Sequence, residues 1–157
     1  MINMEIVFEL LVKMGIDFDN ENSNTLREIG TCIYTSIVTD TGAYRHSNVT
    51  ERTHDISAKL KKIGVDNTNI YQNLFDNKDF SRIKIIGKAL SSMQLILNGK
   101  VALLEIDKDF TKDLGVDDIG DTSDIISYGL QIKGVEVTLL IKEVEDGVKA
   151  SLRAKSY

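Results

Sequence analysis

Residues 37 to 48 read IVTDTGAYRHSN, and they bring together groups suited to metal ions and phosphate. Asp40 ends a β-branched apolar run, and Arg45 and Asn48 follow the Thr-Gly pair after it. A carboxylate is an oxygen ligand for a divalent cation, and Arg and Asn side chains donate hydrogen bonds to phosphate or ribose oxygens. The stretch is either a metal ligand flanked by substrate contacts, or an ordinary turn aspartate beside loop residues.

A second group of polar side chains lies near the end of the sequence. The segment GVEVTLLIKEVEDGVKASLRAKSY alternates apolar and polar residues around an Asp-Gly pair, which indicates a hairpin. In its second strand we expect Val148 and every second residue after it to face the core, so that Lys149, Ser151, Arg153 and Lys155 point the other way. This polar face is either a strip that binds anions or a solvated sheet face.

The elements that must position these residues differ between the two halves of the chain. Helical spacing of apolar residues predicts helices over residues 4–14, 25–38, 51–63, 68–76 and 79–93. Thr50 is a predicted N-cap for the third of these helices. From about residue 94 the period changes to two, and Asn98-Gly99 predicts a hairpin because both residues must adopt positive φ. A helix near 121–132 separates it from the second hairpin. The fold class predicted for this chain is therefore α+β.

The composition and net charge of the chain limit the kinds of partner that it can bind. The chain has 157 residues and a net charge of −5, which argues against a broad surface for duplex DNA or an anionic membrane. The net charge does not exclude a short phosphate-bearing ligand that a few local cations hold. A single cysteine and the lack of a long apolar run lead us to expect a cytoplasmic protein with no membrane partner. Exposed apolar faces predict a homodimer or larger self-association.

The stretch CIYTSIVTDTGAYRHSNVTERTHDISAKLKKIG resembles the last metal motif of DHH phosphoesterases, in their nano-RNase and pAp-phosphatase (NrnA-like) branch, which is related to the RecJ exonuclease. The segments NLFDNKDFSRIKIIGKALSSMQLILNGKVALLEI and GVEVTLLIKEVEDGVKASLRAKS are similar to the linker and substrate domain of that branch. The resemblance covers nearly the whole chain. It implies that residues 1–66 are the C-terminal part of a parallel α/β catalytic domain, 67–93 are linker helices, and 94–157 begin the DHH-associated substrate-binding domain.

The resemblance implies a hydrolase, a phosphodiesterase or phosphatase that uses two Mn²⁺ ions. Its substrates would be short nucleotides, such as oligoribonucleotides, pAp or linear dinucleotides. Two metal ions that clamp a phosphate need several carboxylate and histidine ligands, and only Asp40 matches one of them here. The side chains that the resemblance implies for substrate binding are Arg45, Asn48, Ser151, Arg153 and Lys155.

The sequence also departs from the family. It contains no Asp-His-His run, its two histidines His46 and His54 do not follow an aspartate, and the family's Gly-Gly-Gly-His segment is absent. We therefore expect an internal fragment that binds no Mn²⁺ and is catalytically inactive as an isolated chain. The alternative is a non-catalytic nucleotide- or nucleic-acid-binding module that uses only the strip of Ser151, Arg153 and Lys155.

Overall fold

The computed structural model describes residues 3–19, 23–115 and 119–155. It divides into two compact units, Met1–Asn77 (unit 1) and Lys78–Tyr157 (unit 2), and each has its own hydrophobic core. The predicted α+β class is confirmed, since the described residues form six α-helices and one mixed four-stranded sheet. These units are defined by packing, so the domain boundaries that the resemblance implies at residues 67 and 94 stay predictions.

The described residues of unit 1 form four helices: α1 (Asn3–Lys13), α2 (Asn24–Asp40), α3 (Glu51–Lys62) and α4 (Asn67–Phe75). Side-chain caps fix where these helices begin, because a helix leaves its first backbone N–H groups without intrahelical partners. Ser23 caps α2, Asp66 caps α4, and the predicted cap Thr50 forms a full capping box with Thr53. Within the described ranges, no helix has the length and apolar character needed to cross a bilayer.

The core of unit 1 forms where α2 passes close to α3 and the residues after it. Ile37 and Leu60 are fully buried there. A Cβ at Gly30 would lie 2.9 Å from Ile63 Cδ1, so glycine allows this close approach. Glu5 on α1 is 1% exposed and accepts a hydrogen bond of 2.6 Å from Thr53 Oγ1 at the start of α3. A carboxylate at a helix N-terminus is electrostatically favourable, so this bond fastens α1 to α3.

Unit 2 carries the sheet. Its elements are α5 (Phe80–Ser91), β1 (Gln94–Ile96), β2 (Val101–Ile106), a short 3-10 helix (Lys112–Leu114), α6 (Ser123–Gly129), β3 (Val137–Val144) and β4 (Gly147–Ala154). The strand order is β1-β2-β3-β4. Both predicted hairpins are confirmed as antiparallel pairs, and Asn98 and Gly99 have the expected positive φ. The sheet is joined in the middle by a parallel β2–β3 pair whose connection contains α6.

Helices α5 and α6 cover one face of this sheet, and the predicted orientation of β4 is wrong. Val148 and Leu152 were expected in the core but are 65% and 66% exposed. Arg153 pairs with Thr138 on β3, and Thr138 is fully buried on the covered face. Alternation shows which residues of a strand share a face, but the covered face depends on where the helices pack. The polar residues of β4 therefore lie on the helix side of the sheet.

Candidate phosphate-binding site

A polar cleft of about 350 Å³ lies between β4 and the residues that begin α6. It contains two cationic side chains, one carboxylate and three hydroxyl groups. Its lining consists of Asp121, Thr122, Ser123, Ile126, Lys149, Ser151, Leu152 and Arg153. The structure thus brings together the predicted residues Ser151 and Arg153. The predicted residue Lys155 lies outside this lining, and its Nζ donates to the carbonyl oxygen of Ile132 at 3.3 Å.

Lys149 and Arg153, the two cations of the cleft, donate few hydrogen bonds to acceptors of the protein itself. Arg153 Nη1 donates one long hydrogen bond, 3.3 Å, to Ser127 Oγ on α6. A guanidinium has five N–H donors, so most of its capacity is left for a ligand. Among the described residues the Lys149 ammonium has no hydrogen-bond or ion-pair partner. An anion in the cleft would therefore meet donors that are available for binding.

The opposite wall carries a carboxylate that is held in place locally. Asp121 Oδ1 accepts hydrogen bonds from the backbone N–H of Ser123 at 3.1 Å and from its hydroxyl at 2.8 Å. These bonds lower the pKa of Asp121, and the positive charges of Arg82 and Arg153 lower this pKa further. The carboxylate is therefore ionised and acts only as an acceptor.

Arg82 on α5 fixes the segment that carries this wall. Its Nη1 donates to the carbonyl oxygen of Ile119 at 2.6 Å, and its Nη2 contacts the carbonyl oxygen of Asp121 and the carboxylate of Asp124. One planar guanidinium thereby ties three points of the segment together. Arg82 is a positioning residue for the cleft.

Several residues of the cleft were not predicted from the sequence. Lys149 was predicted to lie on the same polar face as Ser151 and Arg153, but it was not named as a substrate contact. Asp121 and Ser123 lie just before or at the start of a short helix, and Arg82 is far from them in sequence. No motif connects these three positions, so only the packing of α5 and α6 reveals them.

The second group of predicted residues lies in unit 1, in the turn after α2. Gly42, Ala43 and Tyr44 have φ values of 54°, 61° and 63°, three consecutive left-handed residues. This conformation is costly for residues other than glycine and occurs where the surroundings hold it. Here Thr41 Oγ1 accepts from the Tyr44 N–H at 3.0 Å, and the Tyr44 hydroxyl lies 2.7 Å from Ser57 Oγ on α3.

Polar side chains of the same turn bond to its backbone. Asn48 Nδ2 donates to the carbonyl oxygen of Asp40 at 3.1 Å, and Arg45 Nε donates to that of Gly42 at 2.7 Å. The His46 ring fills the space beside Gly42, since a Cβ on this glycine would lie 2.7 Å from His46 Cε1. Arg45 and Asn48 are exposed, so each makes a loop contact and still has donors that face solvent.

The described residues do not fit a two-metal centre. Asp40 is exposed, and its carboxylate has no hydrogen-bond or ion-pair partner among them. Within the described ranges, no group of three or more His, Cys, Asp and Glu side chains could hold a metal ion. A divalent cation needs several ligands, so Asp40 can supply one carboxylate and no more.

Comparisons with known proteins confirm the resemblance to DHH-family phosphoesterases. Two curated relatives carry the name bifunctional oligoribonuclease and PAP phosphatase NrnA. The protein of Thermus thermophilus is 25% identical over 151 residues, which are 96% of this chain and 42% of the relative. That of Bacillus subtilis is 24% identical over 123 residues, which are 78% of this chain and 38% of the relative. No protein-family model matches the chain.

A solved structure supports the fold described above. An exopolyphosphatase-related protein of Bacteroides fragilis superposes with a TM-score of 0.84 at 27% identity, over 98% of this chain and 43% of that one. The chain therefore spans about two fifths of the length of the relatives it matches.

Proposed function

We propose that this chain carries the nucleotide-phosphate-binding part of a manganese-dependent DHH-family phosphoesterase. The substrates of the whole enzyme would be short nucleotides, namely oligoribonucleotides, pAp or linear dinucleotides. The observation that carries this proposal is the cleft beside β4, where Arg153 and Lys149 have donors available for an anion. The names of the two curated relatives support the substrate class.

The cleft would bind a terminal phosphate through complementary roles of its side chains. Arg153 can donate two parallel hydrogen bonds to phosphate oxygens from its planar fork. Lys149 adds a point charge, and the hydroxyl of Ser151 adds a donor that can rotate toward the ligand. Because these groups are few and local, they can hold a short nucleotide despite the net charge of −5.

The metal chemistry requires ligands beyond those described for this chain. Asp40 would contribute one carboxylate to the two Mn²⁺ ions, and Arg45 and Asn48 would contact the substrate beside them. Since one carboxylate does not assemble a metal pair, we propose that the 157-residue chain binds nucleotide without hydrolysing it.

Calorimetric titration with adenosine 3′,5′-bisphosphate at low salt tests the binding step. We expect saturable binding, and we expect Arg153→Ala to weaken it about tenfold or more, as loss of a charge-assisted contact does. Lys133→Ala is the matched control, because it removes an exposed cation outside the cleft lining. Equal affinities for the wild type and Arg153→Ala would contradict the proposed role of the cleft.

A hydrolysis assay with Mn²⁺ and a short RNA tests the second half of the proposal. We expect no turnover by the 157-residue chain. Turnover that Asp40→Ala abolishes would show that the chain carries a complete metal site, contrary to the proposal.

Self-association, which the exposed apolar residues of β4 favour, is measured on the same samples by light scattering.

A second candidate is a non-catalytic nucleotide-binding module, favoured by the absence of a three-ligand cluster within the described residues. Binding without turnover is expected for both the phosphoesterase and the module. The two candidates are therefore distinguished by the sequence of the gene. A reading frame that encodes an Asp-His-His run upstream and a Gly-Gly-Gly-His run downstream would support the phosphoesterase. A gene without these runs would support the module.

A further inference from the structure

The cleft beside β4 has walls of opposite charge. Lys149 and Arg153 lie on the β4 wall, and the ionised Asp121 lies on the opposite wall. A bare phosphate would be attracted by the first wall and repelled by the second. A ligand suits both walls only if it presents a hydrogen-bond donor next to its phosphate.

Asp121 has acceptor capacity to offer such a donor. Both of its hydrogen bonds from Ser123 end on Oδ1. Its Oδ2 has no hydrogen-bond partner among the described residues. The low pKa of Asp121 keeps this oxygen unprotonated, so it accepts hydrogen bonds and donates none. The complementary ligand group is a hydroxyl or an amine.

Ribose places these two groups side by side. In a ribonucleotide 3′-phosphate, the 2′-hydroxyl and the phosphate are attached to neighbouring carbons. A carboxylate that accepts from a ribose hydroxyl is an established means of recognising ribose, and the 2′-hydroxyl is the group that distinguishes RNA from DNA. Amino groups of the bases are a poorer match, because the sugar separates them from the phosphate.

We infer that Asp121 is a specificity-determining residue that accepts a hydrogen bond from the 2′-hydroxyl of a ribose whose 3′-phosphate binds Arg153 and Lys149. This inference rests on the proposed nucleotide-binding function and assigns recognition of the 2′-hydroxyl to one side chain of the cleft. Ser123 orients the carboxylate, and Arg82 holds the segment that carries it.

A comparison of two ligands that differ by one oxygen tests the inference. Adenosine 3′,5′-bisphosphate and its 2′-deoxy analogue are titrated into the wild type, Asp121→Ala, Asp121→Asn and Glu28→Ala. Glu28→Ala removes one negative charge from an exposed position of α2 in unit 1 and serves as the matched control. Circular dichroism of each variant verifies that the helices and sheet are retained.

We expect the wild type and Glu28→Ala to bind the ribose ligand about tenfold more tightly than the deoxy ligand. In Asp121→Ala this ratio falls to near one, and the deoxy ligand binds as tightly as before or more tightly, since the repulsion of the phosphate is gone. Asp121→Asn retains an acceptor without its charge and gives an intermediate ratio.

The possible failures can be told apart. If Asp121→Ala weakens both ligands equally, the residue only supports the structure of the cleft, and the inference is overturned. Equal binding of the two ligands by the wild type overturns the inference and leaves the proposed function intact. If neither ligand binds, the proposed function is refuted and the inference with it.

Discussion

Replacing Gly129 with alanine tests how closely the last turn of α6 approaches the sheet. A Cβ at this position would lie 2.6 Å from Thr138 Cγ2 and 3.0 Å from Ala102 Cβ, and it would collide with Thr138 Oγ1. Both neighbours are fully buried, so moving either of them would disturb the packing of the sheet against α6. Such overpacking costs about 1–3 kcal/mol, and the better helix propensity of alanine returns at most about 1 kcal/mol. We expect unit 2 to lose about 1–2 kcal/mol of stability.

The same contact predicts a compensating substitution. Thr138 Oγ1 is buried and has no hydrogen-bond partner among the described residues, so it contributes little that its removal would lose. Thr138→Ala removes both atoms that a Cβ at Gly129 would meet first. We therefore expect Gly129→Ala to cost less in the Thr138→Ala background, with a coupling of about 1 kcal/mol, while the 3.0 Å contact with Ala102 Cβ remains.

Urea denaturation followed by two-dimensional amide NMR measures these effects for each unit separately. Amides of β3 report on unit 2, and amides of α2 report on unit 1 and serve as the internal control. The reasoning is refuted if Gly129→Ala costs the same in both backgrounds, because the clash with Thr138 would then not be the cause. It is equally refuted if Gly129→Ala has no effect on β3.

Two further predictions concern residues around the cleft and the open face of the sheet. Arg82→Ala removes the bonds to the segment before α6, so we expect about 2 kcal/mol lower stability of unit 2 and weaker binding of adenosine 3′,5′-bisphosphate. Arg82→Lys keeps the charge but not the planar fork, and full recovery by it would contradict the positioning role. We expect a dimer or larger species in light scattering and a monomer for Val148→Ser/Leu152→Ser, whose wild-type side chains are exposed. A monodisperse wild-type monomer would contradict this.

Local signals in the sequence predicted the elements well. The Thr50 cap and the Asn98-Gly99 turn are both confirmed, because each depends on residues within a few positions of one another. The parallel pairing of β2 with β3 had no such signal, since it depends on a crossover that contains α6. The sequence showed which residues of β4 share a face but not which face the helices cover.

The cleft beside β4 could likewise be predicted only in part from the sequence. Ser151 and Arg153 were predicted from their alternation and from the family resemblance, and the structure brings both to one cleft. The wall that faces them was not predicted, because Arg82 and Asp121 meet only when α5 packs beside α6. Alternation predicts which residues of one strand lie on the same face. Contacts between residues of separate elements can be predicted only when the packing of those elements is known.

The reversed orientation of β4 makes the cleft more suitable for recognition than an open sheet face would be. On an open face, Arg153 and Lys149 would be surrounded by water and would bind a phosphate weakly, because water screens their charges. On the covered side, the residues that begin α6 bring hydroxyl groups and Asp121 opposite the exposed cations. Under the proposed function, a ligand would then be selected by the spacing of its donor and its phosphate, not by its charge alone. The exposed apolar residues Val148 and Leu152 are the consequence, since turning the polar residues toward the helices turns their neighbours outward.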